Sequence, residues 1–208
     1  MPLARAGFDL ATGRIHGEWI KEITHRTGDW GLIFVILTLA ITPLRRLTGW
    51  NALHSYRRML GLFAFAYICV HFLVIYVVLD KQIPFDPAYG WHEVVKDIAK
   101  RPYITVGFAG FVLMIPLALT STRASIRRLG RRWVTLHALI YLTAMAGVIH
   151  FMWSVKADRS RPTAYGALLV LLLALRLVSP RALAAWRAVP RPRGDTARAG
   201  LEAGGVPS

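Results

Sequence analysis

The chain has 208 residues, with 26 Lys+Arg against 11 Asp+Glu and a formal net charge of +15, yet 55% of it is hydrophobic and only 18% charged. With a mean hydropathy of +0.43, it is not a disordered polycation, and soluble basic domains are seldom so apolar. An integral membrane protein reconciles the two, because apolar spans need few charges and Lys/Arg collect in the loops on one side. The one cysteine, Cys69, excludes an internal disulfide, a Cys-ligated zinc site or an iron–sulfur cluster built from this chain alone.

Apolar runs long enough to cross about 30 Å of hydrocarbon at roughly 1.5 Å per residue predict five transmembrane helices. They cover residues 30–44, 59–79, 103–120, 133–155 and 165–178. The first is short and must be extended by its flanks. In the last, Arg176 is expected to snorkel outward. The fold class is thus an all-α integral membrane helical bundle over residues 30–178. A polar N-terminal segment (1–29) precedes it, and a basic, Pro- and Gly-rich tail (179–208), expected to be disordered, follows.

The connections alternate in charge. Arg45, Arg46, Arg57 and Arg58 lie between the first two runs, and Arg123, Arg127, Arg128, Arg131 and Arg132 between the third and fourth, with no acid among them. The tail adds Arg181, Arg187, Arg191, Arg193 and Arg198 against Asp195 and Glu202. Between the second and third runs, Lys81, Lys96, Lys100 and Arg101 are balanced by Asp80, Asp86, Glu93 and Asp97. By the positive-inside rule the arginine connections and the C-terminus are cytoplasmic and the N-terminus is outside. The basicity is therefore an orientation signal, and nucleic acid is not needed to explain it. Residues 1–29 hold no apolar leader, so an outside N-terminus implies either a translocated tail or a further helix ahead of Met1.

Ionisable groups inside spans are functional candidates because burying them in lipid is costly. The predicted spans hold His71, His137 and His150 and no internal Asp, Glu or Lys, which argues against a proton pump or an ion-coupled carrier. Neutral imidazoles in an apolar bundle suit a membrane b-type haem. His71 and His150 both fall in the outer halves of their helices, roughly 12 Å and 6–8 Å from the ends, a difference that tilt can absorb. They are the candidate axial ligands of one haem. His137 lies roughly 20 Å from His150 along the same helix and cannot share that iron. It is a candidate for a second haem, with Arg57 and Arg58 at the matching level as candidate propionate partners. The alternative for any single histidine is an interhelical hydrogen bond. Gly61, Gly107, Gly110 and Gly147 suit close helix packing, the favoured use, or room for a macrocycle.

The stretches YRRMLGLFAFAYICVHF, RPYITVGFAGFVLMIPLALTST, LGRRWVTLHALIYL and VIHFMWSVKAD resemble the MsrQ family, formerly YedZ. The upstream EITHRTGDWGL and ITPLRRLTG also fit, so the resemblance leaves out only the tails. It implies the haem-bearing inner-membrane subunit of a periplasmic methionine sulfoxide reductase system, similar to the transmembrane part of ferric reductases. Electrons would come from quinone, or from a cytoplasmic flavin reductase through a bound FMN, and pass through b-type haem to MsrP, a periplasmic molybdopterin enzyme. The family's haem-ligand histidines match His71, His137 and His150; no FMN site carries over to individual residues. The loops 80–102 and 156–162 are the expected docking surface for the partner. Family members usually have six spans with the N-terminus inside, and this chain begins where their second span is approached. The rival readings are a ferric-reductase-like carrier with another acceptor, and a non-redox membrane scaffold or carrier with structural histidines.

Overall fold

The structure is a computed structural model that describes residues 19–80 and 87–177 together with Phe8 and Thr12. The expected tail over 179–208 and most of the segment before Trp19 lie outside the described residues. Among the described residues every regular element is helical, and five helices are long and apolar enough to cross a membrane. The elements are α1 (Trp19–Thr48), α2 (Leu53–Cys69), a π-helical continuation of α2 (Val70–Asp80), α3 (Pro87–Lys100), α4 (Pro102–Leu119), α5 (Arg123–Leu129), α6 (Arg131–His137), α7 (Leu139–Ser154) and α8 (Ser160–Leu177).

α1 is the axis of the bundle. Half of its most apolar stretch is buried, against 11–28% for the other four spans. Leu32, Val35, Ile36 and Leu39 of α1 meet Ala64 of α2, Met114 and Leu117 of α4, Ile140 and Ala144 of α7, and Leu169 and Leu172 of α8 in one core. On the outside, Leu62, Phe63, Val112, Leu142, Val170 and Leu171 are exposed. Such an apolar exterior belongs in lipid, where only structures that satisfy their own backbone can span. The chain is a multi-pass membrane protein.

The first helix is extended at both flanks, as its short apolar run requires, but the extension reaches back to Trp19, well inside the segment read as polar. Its extension WIKEITHRTGD is amphipathic: Ile23 and Thr27 are buried, while Lys21, Glu22 and His25 face outward, with an Arg26–Glu22 ion pair of 2.6 Å along the surface. A stretch of 18 apolar residues marks where a helix crosses lipid, not where its hydrogen bonding begins. The acids of the helix, Glu22 and Asp29, lie in this extension, and the apolar run 30–44 holds none.

Two further departures concern the connections. Residues 87–100, read as loop, form α3. Gly90, Val94 and Asp97 at helical spacing are its buried face against α4. The fourth run is divided at Ala138 into α6 and α7. The turns at Gly49 (φ 75°), after α1, and Gly130 (φ 50°), between α5 and α6, need positive φ and have glycine.

Arg176 does not snorkel outward. It turns inward, donating from Nη2 to the Leu39 carbonyl at 2.6 Å and from Nη1 to the Tyr141 hydroxyl, with its guanidinium 5.1 Å from the centre of the Tyr141 ring. Acceptors inside the bundle outcompete the distant interface.

The helices alternate in direction. One end of the bundle gathers the start of α1, the π segment, α3, the start of α4, the end of α7 and the start of α8. Asp29 of α1 meets Arg161 of α8 at 3.3 Å at this end. The other end gathers the arginine-only connections, where Arg46 Nη1 donates to the Arg176 carbonyl at 3.1 Å and Trp133 Nε1 donates to the Thr120 carbonyl at 3.0 Å.

Candidate functional site: a two-histidine cavity

A cavity of about 360 Å³ opens at the first of these ends, within the size range of small-molecule and cofactor sites. Its inner wall is apolar, with Leu32, Val35, Ile68, Phe72, Phe108 and Phe111, and its outer rim carries Lys21, His25, Asp29, Asp80, Asp97 and Arg101. His71 and His150 both line it.

His71 stands at the second residue of the π segment. Its Nδ1 lies 2.9 Å from the carbonyl of Thr24 and 3.4 Å from the hydroxyl of Thr27, both on α1. His150, one turn before the end of α7, has its Nδ1 2.7 Å from the carbonyl of Tyr103 on α4. A carbonyl only accepts, so each Nδ1 carries the proton and donates. In both neutral rings the lone pair is then on Nε2, and neither Nε2 has a hydrogen-bond partner among the described residues. This is the arrangement that second-shell hydrogen bonds give to metal-ligating histidines.

The two ring centroids are 6.3 Å apart, with the ring planes at 78°. A metal–imidazole bond of about 2.0–2.1 Å, plus roughly 1.1 Å from a ring nitrogen to its ring centre, puts the centroids of an axially ligating pair about 6.2–6.4 Å apart. The donor set, two neutral nitrogens in an otherwise apolar chamber, suits a haem iron. Among the described residues no three His, Cys, Asp or Glu side chains gather as a metal site. Two lining side chains keep buried oxygens without a hydrogen-bond partner among the described residues: Thr143 Oγ1 and Asp29 Oδ1.

The structure thus brings His71 and His150 together and leaves His137 apart, outside the cavity lining. The His137 ring is stacked on Trp133 (centroids 3.8 Å, planes 24° apart), its Nδ1 is 3.2 Å from the Trp133 carbonyl, and its Nε2 is 3.5 Å from Ser121 Oγ. Arg57 lies near enough for its charge to act on both His137 and Arg176, at the end opposite the cavity.

The outer rim is built around Asp97, which is 2% exposed. Tyr76 of the π segment donates its hydroxyl to Asp97 Oδ2 at 3.0 Å, and Arg101 Nε lies 3.0 Å from Oδ1. Asp97 raises the affinity of Arg101 for its proton, after a larger effect from a hydrogen bond with Tyr103. At the start of α8, the Ser160 side chain and then its backbone N–H, 2.9 Å from Asp158 Oδ1, hold the Asp158 carboxyl below the usual range.

Several of these residues escaped sequence reasoning. Asp97, Tyr76 and Asp29 were read as loop or unremarkable, although Gly90, Val94 and Asp97 carry a helical period. Thr24 and Tyr103 act through their backbone carbonyls, which no residue type announces.

A family model described as the ferric reductase like transmembrane component matches residues 27–148. The chain is 50% identical over 195 residues to a protein-methionine-sulfoxide reductase heme-binding subunit MsrQ from Rhizobium meliloti, covering 93% of this chain and 87% of the relative. It is 46% identical over 179 residues to the protein of the same name from Rhodospirillum rubrum (86% and 83% covered), and 45% over 180 residues to that of Herminiimonas arsenicoxydans (85% and 79%). No solved structure matches it. With more than half its length in the family model and near-complete alignment to such relatives, the chain belongs to the ferric reductase-like transmembrane family and, within it, to the MsrQ subunits.

Proposed function

We propose that the protein is the haem-binding, electron-transferring membrane subunit of a methionine sulfoxide reductase system, with a b-type haem between His71 and His150. The observation that carries this reading is the 6.3 Å separation of two imidazoles whose Nδ1 atoms are both committed to carbonyls. Bound there, haem iron supplies one-electron transfer by exchanging ferric and ferrous states. The chain's own task is to present two Nε2 lone pairs to the cavity and to line its inner wall with Phe72, Phe108 and Phe111.

In this reading the arginine-rich end is cytoplasmic, the cavity end is periplasmic, and the membrane is the bacterial inner membrane; the charge asymmetry of the connections supports it. Electrons would enter from quinone or a flavin, FMN included, near His137. That residue, whose Nε2 lies 3.5 Å from Ser121 Oγ and which also meets the Leu117 backbone, would be the protein ligand of any second haem. They would leave at the cavity end, across α3 and the α7–α8 connection, to the molybdopterin partner MsrP. The names of the relatives support a reductase partner; the mixed charges of the rim suit docking of a soluble protein.

The test is the visible spectrum of the purified protein from haem-replete cells, with haem quantified per chain. A reduced spectrum typical of a low-spin bis-histidine b haem is expected. A colourless, haem-free protein overturns the reading in favour of a non-redox scaffold, and a haem protein reduced normally but unable to pass electrons to MsrP favours a different acceptor.

A further inference from the structure

The two histidines are held by the same local device, built twice from unrelated segments. In an α-helix the carbonyl of residue i points at the N–H of residue i+4, so the side chain at i+4 stands beside that carbonyl. His71 donates to the carbonyl of Thr24, and the residue four further on is Gly28; His150 donates to the carbonyl of Tyr103, and the residue four further on is Gly107. A Cβ at Gly28 would stand 3.1 Å from His71 Cε1 and 3.2 Å from its Nδ1. A Cβ at Gly107 would stand 2.6 Å from His150 Nδ1 and 2.9 Å from its Cε1 and Cγ. Each imidazole therefore lies on the bare backbone of the neighbouring helix, in the space that any other residue would fill.

Resting on the haem reading above, we propose that Gly28 and Gly107 are positioning residues for the two iron ligands: their missing side chains admit each imidazole to the carbonyl four residues earlier, which fixes the Nδ1–H tautomer and aims Nε2 into the cavity. Helix packing alone does not account for them, since the atoms they make room for belong to the histidine rings and not to a packed helix face. The device is graded. At Gly107 a methyl group would overlap the ring and must displace it. At Gly28 the contact would only be tight, and a shift of a few tenths of an ångström relieves it.

A lost Nδ1–H···O bond leaves the imidazole a poorer donor to iron, which disfavours the ferric state and raises the reduction potential. The full-length protein is compared in detergent as wild type, Gly28→Ala, Gly107→Ala and two controls. Gly61→Ala is the neutral control, where a Cβ would meet only Thr38 Cγ2 at 3.9 Å. Gly31→Ala is the packing control, where it would strike Ile68 Cγ1 at 2.8 Å and no histidine. Haem affinity, the low-spin spectrum and the midpoint potential are read in each. Gly107→Ala is expected to weaken haem binding about 10–100-fold, the range seen when second-shell partners of a metal ligand are lost. Gly28→Ala is expected to keep its haem and shift the ferric-to-ferrous ratio toward ferrous by up to about tenfold, or 59 mV for one electron. Gly31→Ala should lower thermal stability and, acting only through Ile68 on the cavity wall, should move affinity and potential less than either histidine-side variant.

If wild type carries haem and both histidine-side variants match Gly61→Ala in affinity and potential, the proposal is overturned while the haem reading stands. If Gly31→Ala moves affinity and potential as much as they do, the glycines serve packing and the proposal also falls. Should Gly107→Ala fail to fold, the potential of Gly28→Ala decides. A wild type without haem overturns the reading beneath both.

Discussion

The guanidinium of Arg176 donates to the backbone carbonyl of Leu39 at 2.6 Å. Leu39 is four residues before Pro43, which lies inside α1 and has no N–H to return that bond. Pro43 is fully buried and Leu39 is 0% exposed, so without Arg176 the carbonyl would be an orphan inside the bundle. A cation on α8 thus repairs α1 at the point where its own sequence interrupts it. Replacing Arg176 by Met should cost about 1.5–3 kcal/mol, the range for a hydrogen bond to a charged group. In a Pro43→Ala background the helix supplies its own donor and the cost should shrink. Thermal unfolding of the four proteins of this cycle measures the coupling, and equal costs in both backgrounds would remove the repair role.

His71→Ala and His150→Ala should each abolish the low-spin haem spectrum, because each removes one of two Nε2 donors to the same iron. His137→Ala should leave that spectrum in place and slow reduction from the donor side. A full bis-histidine spectrum in either of the first two variants would refute the pairing. Restoration by added imidazole would show that the cavity itself survives.

Tyr76→Phe tests how the rim is held. Asp97 would keep the contact with Arg101, whose side chain is 54% exposed. A buried carboxylate deprived of a hydroxyl donor should cost about 1.5–3 kcal/mol. The loss should be local, seen as faster hydrogen exchange in α3 and the π segment while the core of α1 stays protected. Uniform loss of protection would instead make the contact part of global stability.

The Arg161–Asp29 pair, in contrast, should matter little to folding. Its separation is 3.3 Å and the Arg161 side chain is 73% exposed. Arg161→Gln should therefore change stability by no more than about 1 kcal/mol, the range for exposed pairs. Asp29→Asn should alter the cavity more than the fold: its buried Oδ1 lines the chamber, and removing that negative charge should raise the potential of a bound haem. Unchanged potential in Asp29→Asn would show the charge to be fully neutralised by Arg161.

Much of this protein was legible in the residues. Long apolar runs between arginine-only connections determine a helical membrane bundle, because backbone groups in lipid must pair within their own segment and charges must stay outside it. The same logic singles out His71, His137 and His150, since imidazoles are costly in lipid unless they have work to do. The start of α1 and the existence of α3 were legible in principle, through Ile23 and Thr27 and through Gly90, Val94 and Asp97. Apolar run length hid them, since amphipathic helix at a membrane edge reads as polar.

Depth along the helices paired His71 with His150 within what tilt can absorb, but only the tertiary structure set the distance and angle at which the rings meet. Depth estimates along two separate helices left His71 and His150 at different levels, and VHFLVIYVVLD is apolar all round, so no period in it reveals the π winding. It also decided what the histidines lean on. A carbonyl of Thr24 or Tyr103 and the bare space over Gly28 or Gly107 are properties of a neighbouring helix's backbone. Arg176 shows the same division: its charge and position suggested an outward path, but a carbonyl freed by Pro43 on another helix drew it inward. Residue types along the chain determine what can be buried in lipid, while the pairing of groups distant in sequence is set by how the helices pack.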